Sequence, residues 1–335
     1  MTYPVGKLPS KVLEELLARN VVSDPKVLVG PSVGQDAAVI DFGQTLLVAK
    51  TDPITFATDE IGWYAVNVNA NDIATMGARP RWFLATLLLP GGKAGRHLVD
   101  GIYDDILRAC EHLGIALVGG HTEITYGLTR PILAGQMLGE VARDRLVTGD
   151  RVAPGDRVLL TKAVAVEGTA IIAREKRSEL ADLFEEATLK RCSNFLHDPG
   201  ISVVEEAMAA CRAGGVKAMH DPTEGGLATG VWELARQARL GARIRLQEIA
   251  VFEETRRFCD HFRLDPLGLI ASGSLLIVAE PEATEAISER VETAGIKCRE
   301  IGEMTSEEQG LALVTPEGER AWPVFERDEI ARLFE

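Results

Sequence analysis

One acidic residue interrupts the apolar side of a helix-like segment. Between Glu60 and Gly77 the apolar residues recur at helical spacing, and Asp72 falls in the middle of their stripe with Asn69 beside it. A carboxylate buried there without a partner would be costly. Asp72 is therefore either a ligand of magnesium or of a polar substrate, or a helix residue bonded to a neighbouring loop.

Two further aspartates stand at the ends of strand-like runs. Asp36 belongs to the segment 34–38 and Asp52 to the segment 50–53. Hard oxygen ligands spread over several strand ends are typical of magnesium–nucleotide sites. Each aspartate taken alone is also explained by a turn, because Asp caps turns with its own side chain.

Two glycines follow the apolar run that ends at Val118. Gly119 and Gly120 allow backbone amides to approach an anion without a Cβ in the way, so the segment 118–123 is a candidate phosphate-binding loop. A β-turn would require the same glycines. His121 in this segment is either a base or a hydrogen-bonded structural histidine.

The segment 220–226 opens a helix-like run in the second half of the chain. Asp221 as N-cap, Pro222 at the first helical position and Glu224 at the third are favourable for a helix start. The glycines at its end would also let a helix N-terminus receive a phosphate. Both interpretations remain open.

The composition narrows the class of protein. The 335 residues include 36 basic and 50 acidic side chains, for a net charge of −14, which argues against nucleic acid as a partner. Five cysteines without a CxxC pair argue against a disulfide framework or a thiolate zinc site. With no long uncharged apolar stretch and no signal-like start, we expect a soluble, cytoplasmic protein.

The elements that position these residues alternate between strand-like and helix-like runs, which predicts a mixed α/β fold. A charged, turn-rich stretch at 143–156 predicts a boundary near residue 150, with domains at 1–150 and 151–335. Helices are predicted at 11–20, 60–77, 97–113, 168–174, 202–213 and 221–238. Strands are predicted at 27–29, 37–40, 46–49, 82–89, 115–118, 131–141, 157–161, 244–248, 275–279 and 312–315.

The order of five segments resembles the aminoimidazole ribonucleotide synthase (PurM) superfamily, within it the AIR synthase-related and HypE-like proteins. The matching segments are 34–39, 51–53, 66–80, 119–122 and 221–228. The resemblance implies a two-domain PurM-like fold whose N-terminal sheet pairs across a dimer axis, and hence a homodimer. It also implies an enzyme that uses ATP and Mg²⁺ to phosphorylate an oxygen or selenium atom of its substrate.

The position of the last cysteine separates the chain from HypE itself. HypE ends in a cysteine that carries a carbamoyl group, whereas the last cysteine here is Cys298. We therefore expect an HypE-like enzyme that activates an oxygen of a small or protein-bound substrate. The alternatives are a small-molecule kinase similar to thiamine-monophosphate kinase, and a non-catalytic ATP-binding partner in protein maturation.

These arguments and the resemblance give one set of candidate site residues. His121 and Glu224 are the candidate catalytic residues. The candidate metal ligands are Asp36, Asp52, Asp72 and Asp221. The candidate ATP-binding residues are Gly34, Asp36, Asp52, Asn69, Asn71, Asp72, Gly119, Gly120 and Thr122.

Overall fold

The computed structural model describes residues 8, 10–19, 22–32, 35–55, 57 and 59–334. The chain forms two compact units. The N-terminal unit comprises 22–31 and 36–146, and the C-terminal unit comprises the described residues of 1–21, 32–35 and 147–335. The first helix, α1 (Ser10–Leu17), thus belongs to the C-terminal unit. Each unit combines one sheet with helices, which confirms the predicted mixed α/β fold.

The N-terminal unit has a six-stranded sheet in the order β1-β2-β3-β6-β4-β5, antiparallel except between β4 and β5. Its elements are β1 (Val27–Val29), β2 (Ala38–Asp41), β3 (Leu46–Ile54), α2 (Ile61–Thr75), β4 (Arg79–Pro90), α3 (Arg96–Leu113), β5 (Ala116–Thr125) and β6 (Ile132–Val141).

Helix α2 is buried at all of its 15 residues. A one-sided apolar stripe predicts an amphipathic helix with a solvent-facing side, but α2 has no such side. Its polar residues, including Asn69 and Asp72, are therefore enclosed by protein and must find partners there.

Two glycines on β6 set how closely α2 approaches the sheet. Gly135 and Gly139 lie on the same face of the strand, because side chains alternate. A Cβ on Gly139 would fall far inside contact distance of Ile73 Cγ2, and one on Gly135 would lie 2.5 Å from Asn69 Nδ2. The absence of both side chains lets α2 rest directly on the strand.

Strand β5 continues through the glycine pair that the sequence placed in a loop. Gly119 and Gly120 lie inside β5 and pair in parallel with β4, with a register shift at Gly119. A Cβ on Gly120 would overlap the carbonyl of Ala85. The loop prediction is wrong here, because an extended glycine at a crowded strand contact gives the same sequence signal as a turn.

The C-terminal unit has a seven-stranded sheet in the order β13-β12-β9-β11-β7-β10-β8, antiparallel except between β9 and β12. Its strands are β7 (Arg157–Thr161), β8 (Val216–His220), β9 (Gly241–Arg245), β10 (Leu276–Ala279), β11 (Cys298–Thr305), β12 (Leu311–Thr315) and β13 (Gly318–Ala321). Besides α1, its helices are α4 (Val166–Glu175), α5 (Arg177–Leu180), α6 (Glu186–Ser193), α7 (Val204–Ala213), α8 (Gly226–Ala238), α9 (Glu253–Phe262) and α10 (Thr284–Thr293).

Helix α8 begins at Gly226, five residues later than predicted. Its N-cap is Gly225, in the left-handed region with φ of 80°, and Gly226 follows with φ of 63°. The prediction of Asp221 as N-cap and Glu224 at the third helical position is wrong, because the two glycines let the chain turn once more before the helix starts. Asp221 and Glu224 therefore lie in a loop between β8 and α8.

No helix in the described part of the chain is both long enough and apolar enough to cross a bilayer.

The close approach of α2 to β6 leads to a first prediction. Gly139→Ala should lower the free energy of unfolding by about 1–3 kcal/mol, because the added methyl forces α2 away from the sheet. Urea denaturation measures this. Gly101→Ala is the matched control: a Cβ on Gly101 meets open space on helix α3, so this variant should be stabilised by about 0.5–1 kcal/mol. Equal effects of both variants would contradict the packing argument.

Candidate functional site

The candidate site of the N-terminal unit centres on a lysine that the sequence analysis did not select. Lys50 and Asp52 lie two residues apart on β3 and so face the same side of the sheet. Asp72 comes from α2. The Lys50 Nζ atom lies 3.0 Å from Asp72 Oδ2 and 3.7 Å from Asp52 Oδ2.

The third predicted aspartate acts on the same ammonium group. Burial lowers the pKa of Lys50, but the carboxylates of Asp72, Asp52 and Asp36 outweigh it and raise that pKa overall. Burial raises the pKa of Asp72; the Lys50 ammonium opposes this shift, and the Asp36 and Asp52 carboxylates add to it. The structure thus brings two predicted metal ligands into ion pairs with one lysine, and the third acts on that lysine electrostatically.

Asn69 ties α2 to the end of β3. Its Nδ2 donates to the carbonyl of Ala65 at 2.8 Å and to that of Asp52 at 3.2 Å. Its Oδ1 is buried and has no hydrogen-bond partner among the described residues. Amide and carboxylate oxygens are ligands that a hard cation prefers. The residues present therefore fit Mg²⁺.

The sequence analysis also predicted Asn71 and Gly34 as ATP-binding residues. Asn71 is buried on α2 next to Asp72. Gly34 lies outside the described residues.

Lys50 was missed in the sequence analysis because a lysine on a strand is usually solvated. The sequence did offer one signal for it. Lys50 stands two residues before Asp52, on the face of the strand that carries the buried Leu46 and Val48.

The residues predicted around the glycine pair lie along β5. Gly119, Gly120, His121 and Thr122 are all exposed on this edge strand. The His121 Nε2 atom lies 3.5 Å from Glu123 Oε2, and both side chains are more than half exposed. An extended strand does not converge its amides on one anion, so the predicted phosphate-binding loop is absent from this segment. The roles of these residues remain predictions.

In the C-terminal unit, a distant carboxylate holds the glycine turn before α8. Asp328 accepts hydrogen bonds from the backbone N–H groups of Gly225 at 2.6 Å, Ile270 at 3.2 Å and Ile330 at 2.8 Å. The carbonyl of Thr223 accepts from Gly226 and from Ala271. Asp328 lies about a hundred residues further along the chain than Gly225, so no local sequence pattern indicates it.

Three carboxylates act on one another around this turn. Burial raises the pKa of Glu167 to about 7; hydrogen bonds from Ser272 oppose the shift, and Asp328 and Glu224 add to it. Burial also raises the pKa of Asp328 to about 6. The three backbone hydrogen bonds lower this pKa, and the Glu224 carboxylate raises it further. Glu167 Oε2 is buried without a hydrogen-bond partner among the described residues. Glu224, a candidate catalytic residue, thus belongs to an acid cluster, and Asp221 is buried in the same loop.

The raised pKa of Glu167 leads to a pH-dependent prediction. In the unfolded chain Glu167 ionises near pH 4.5, whereas in the folded chain it holds its proton to about pH 7. The stabilisation that the protonated Glu167 gives to the folded chain is fully present below about pH 4.5. It is lost as the pH rises through about 7. Glutamine cannot ionise, so Glu167→Gln should gain stability relative to the parent chain by on the order of 2 kcal/mol between pH 5 and pH 8.

Urea unfolding at both pH values measures this gain. Glu175→Gln, at the exposed end of the same helix α4, should show no such trend. A difference between Glu167→Gln and the parent chain that does not change with pH would contradict the assignment.

Comparison with known proteins places both units in one family. Residues 34–141 match the AIR synthase related protein N-terminal domain, and residues 153–314 match the AIR synthase related protein C-terminal domain. The chain is 28% identical over 323 residues to carbamoyl dehydratase HypE of Azotobacter vinelandii, covering 93% of this chain and 90% of that protein. It is 28% identical over 342 residues to selenide, water dikinase of Escherichia coli O9:H4 (strain HS), covering 92% and 94%.

Solved structures share the architecture. Hydrogenase maturation protein HypE in complex with ATP superposes with a TM-score of 0.75 at 23% identity, covering 92% of each chain. A chain of the HypE–HypF complex superposes with a TM-score of 0.76 at 21% identity, covering 94% of this chain and 99% of that one. These likenesses confirm the PurM-like fold. Because the two family matches together span most of the sequence, the chain belongs to the AIR synthase related family.

Proposed function

We propose that the N-terminal unit binds ATP with Mg²⁺ and that the protein uses it to phosphorylate an oxygen of a small or protein-bound substrate. The observation that carries this proposal is the convergence of Asp36, Asp52 and Asp72 on Lys50. Similarity to an ATP-bound HypE, to a carbamoyl dehydratase and to a dikinase supports it.

The three aspartates of the N-terminal unit would hold the magnesium ion, and the unpartnered Asn69 amide oxygen is a further candidate ligand. Bound Mg²⁺ would neutralise charge on the phosphate groups during transfer. Asp221, in the C-terminal unit, remains a predicted metal ligand. Gly34, Asn71, Gly119, Gly120 and Thr122 remain predicted contacts of the nucleotide.

The proposed acid–base residue of the C-terminal unit is Glu224. Glu224 adjoins the Gly225 turn, and its carboxylate acts electrostatically on Glu167 and Asp328. Burial raises the pKa of the neighbouring Glu167 and Asp328 toward neutrality, where a carboxyl group exchanges protons readily. Glu224, beside these two groups, is the candidate acid–base residue, with His121 on β5 as the second candidate.

A role in protein maturation, exerted by binding a partner protein, is the second candidate function. The HypE–HypF complex contains a chain of the same fold, which supports a role in protein maturation. ATP hydrolysis stimulated by a small molecule would favour the enzyme acting on a metabolite. Stimulation only by a partner protein would favour the maturation role.

The magnesium–nucleotide site is tested by removing one charge. Asp72→Asn keeps the shape of the side chain but should weaken binding of Mg²⁺ with the non-hydrolysable analogue AMP-PNP at least tenfold, or about 1.4 kcal/mol. Isothermal titration calorimetry measures this affinity. Asp104→Asn, which removes an exposed carboxylate of α3, is the control and should bind as the parent chain does. Unchanged affinity in a folded Asp72→Asn variant would overturn the assignment.

A homodimer formed through the N-terminal unit is part of the proposal. Strand β5 is an edge of the six-stranded sheet, with β4 as its neighbour. It exposes Val118 and Ile124, and Tyr126 directly beyond it is 98% exposed. Open edge strands that carry apolar side chains are prone to pair with a second chain. The edge of β5 therefore supports pairing of two copies.

Light scattering at micromolar concentration tests the dimer. The parent chain should have the mass of two chains, and Ile124→Lys should shift it toward one, because a lysine is unfavourable in a paired apolar edge. Val324→Lys, at an exposed apolar position of the C-terminal unit, should leave the mass unchanged. A monomeric parent chain, with and without nucleotide, would refute the dimer.

A further inference from the structure

Lys50 fills the place where three candidate metal ligands meet. Its Nζ lies 3.0 Å from Asp72 Oδ2 and 3.7 Å from Asp52 Oδ2, and Asp36 adds to the negative field around it. One ammonium group therefore serves as the counter-ion of three carboxylates. Asp72, with a side chain only 8% exposed, depends on it most.

A divalent cation and the ammonium group compete for the same oxygen. Mg²⁺ bonds oxygen ligands at about 2.1 Å. A cation at that distance from Asp72 Oδ2 would lie within a few ångströms of Lys50 Nζ, where like charges repel strongly in a buried site. Mg²⁺ can take the Oδ2 atom of Asp72 as a ligand only if Lys50 moves away. The flexible four-carbon stem of lysine permits that movement.

The displaced ammonium group needs another anion. Leaving it buried and unpaired would be costly, so Mg²⁺ alone gains Asp72 at the expense of Lys50. The oxygens of a polyphosphate supply the missing partner. When both ligands bind, Asp72 pairs with the metal and Lys50 with the phosphate; when either binds alone, one member of the original pair is left without a partner.

We propose that Lys50 makes the binding of Mg²⁺ and of the nucleotide polyphosphate interdependent, so that neither binds well without the other. This inference rests on the proposed magnesium–nucleotide site. Its consequence is selectivity for the complete magnesium–nucleotide complex over free metal and free nucleotide. Coupling of this kind acts equally in both directions and typically amounts to 5- to 150-fold.

The decisive measurement is the affinity for Mg²⁺ alone. By calorimetry without nucleotide, Lys50→Met should bind Mg²⁺ at least tenfold more tightly than the parent chain, because the three carboxylates lose their internal counter-ion. A variant that is merely destabilised would show no such gain. Lys93→Met, which removes an exposed lysine of the same unit, should bind Mg²⁺ as weakly as the parent chain does.

A second titration measures the coupling itself. Magnesium and AMP-PNP attract each other directly in every variant, so the quantity compared is the factor by which saturating AMP-PNP tightens Mg²⁺ binding. That factor should be at least tenfold larger in the parent chain and in Lys93→Met than in Lys50→Met. If Lys50→Met does not fold, Lys50→Gln, which retains a hydrogen-bond donor without the charge, takes its place.

Two results overturn the inference while leaving the proposed site intact. One is a folded Lys50 variant that binds Mg²⁺ alone no more tightly than the parent chain. The other is a parent chain that binds Mg²⁺ equally well with and without AMP-PNP. A parent chain that binds Mg²⁺ and AMP-PNP neither singly nor together would instead overturn the proposed function, and the coupling with it.

Discussion

The approach of helix α2 to strand β6 determines where the candidate ligands of the N-terminal unit lie. Gly135 and Gly139 leave no side chain between helix and strand, so Asn69 reaches the backbone of Asp52 and Asp72 reaches Lys50. A side chain on either glycine would collide with Asn69 or Ile73 of the helix, so the helix would have to shift. The positions of the candidate ligands thus depend on a close packing contact that is possible only because both strand positions are glycine.

The two units balance their buried carboxylates by different physical means. In the N-terminal unit the balancing charge is the Lys50 ammonium, carried on a flexible side chain. In the C-terminal unit Asp328 is held by three backbone N–H groups, and burial favours the protonated form of Glu167. A side-chain cation can be exchanged for another cation, whereas backbone donors stay where the fold places them. The first arrangement suits binding of a metal, and the second suits a fixed acid–base group.

Helical periodicity was enough to predict α2 and to single out Asp72, because a carboxylate among regularly spaced apolar residues is rare without a reason. Local sequence patterns gave wrong predictions where the same residues are compatible with two different structures. Gly119 and Gly120 suit a turn as well as a crowded strand. Asp221 and Pro222 suit a helix start, but Gly225 moved that start to Gly226.

Residues that act through long-range contacts gave little or no local signal. Asp328 meets the motif before α8 only because the chain returns there after a hundred residues. Lys50 was not selected, because its partner Asp72 lies more than twenty residues further along the chain. The order of the five family motifs compensated in part, since it identified the fold in which such contacts are made.

Strand β3 shows how an ordinary core can position a charged site. Leu46 and Val48 are fully buried, and they fix which face of the strand turns inward. Because side chains alternate, Lys50 and Asp52 must continue on that same face. A slip of one residue would expose both apolar side chains and turn both charged groups to the opposite side, so the burial of Leu46 and Val48 opposes any such slip. The apolar half of the strand therefore maintains the register on which the Lys50–Asp72 ion pair depends.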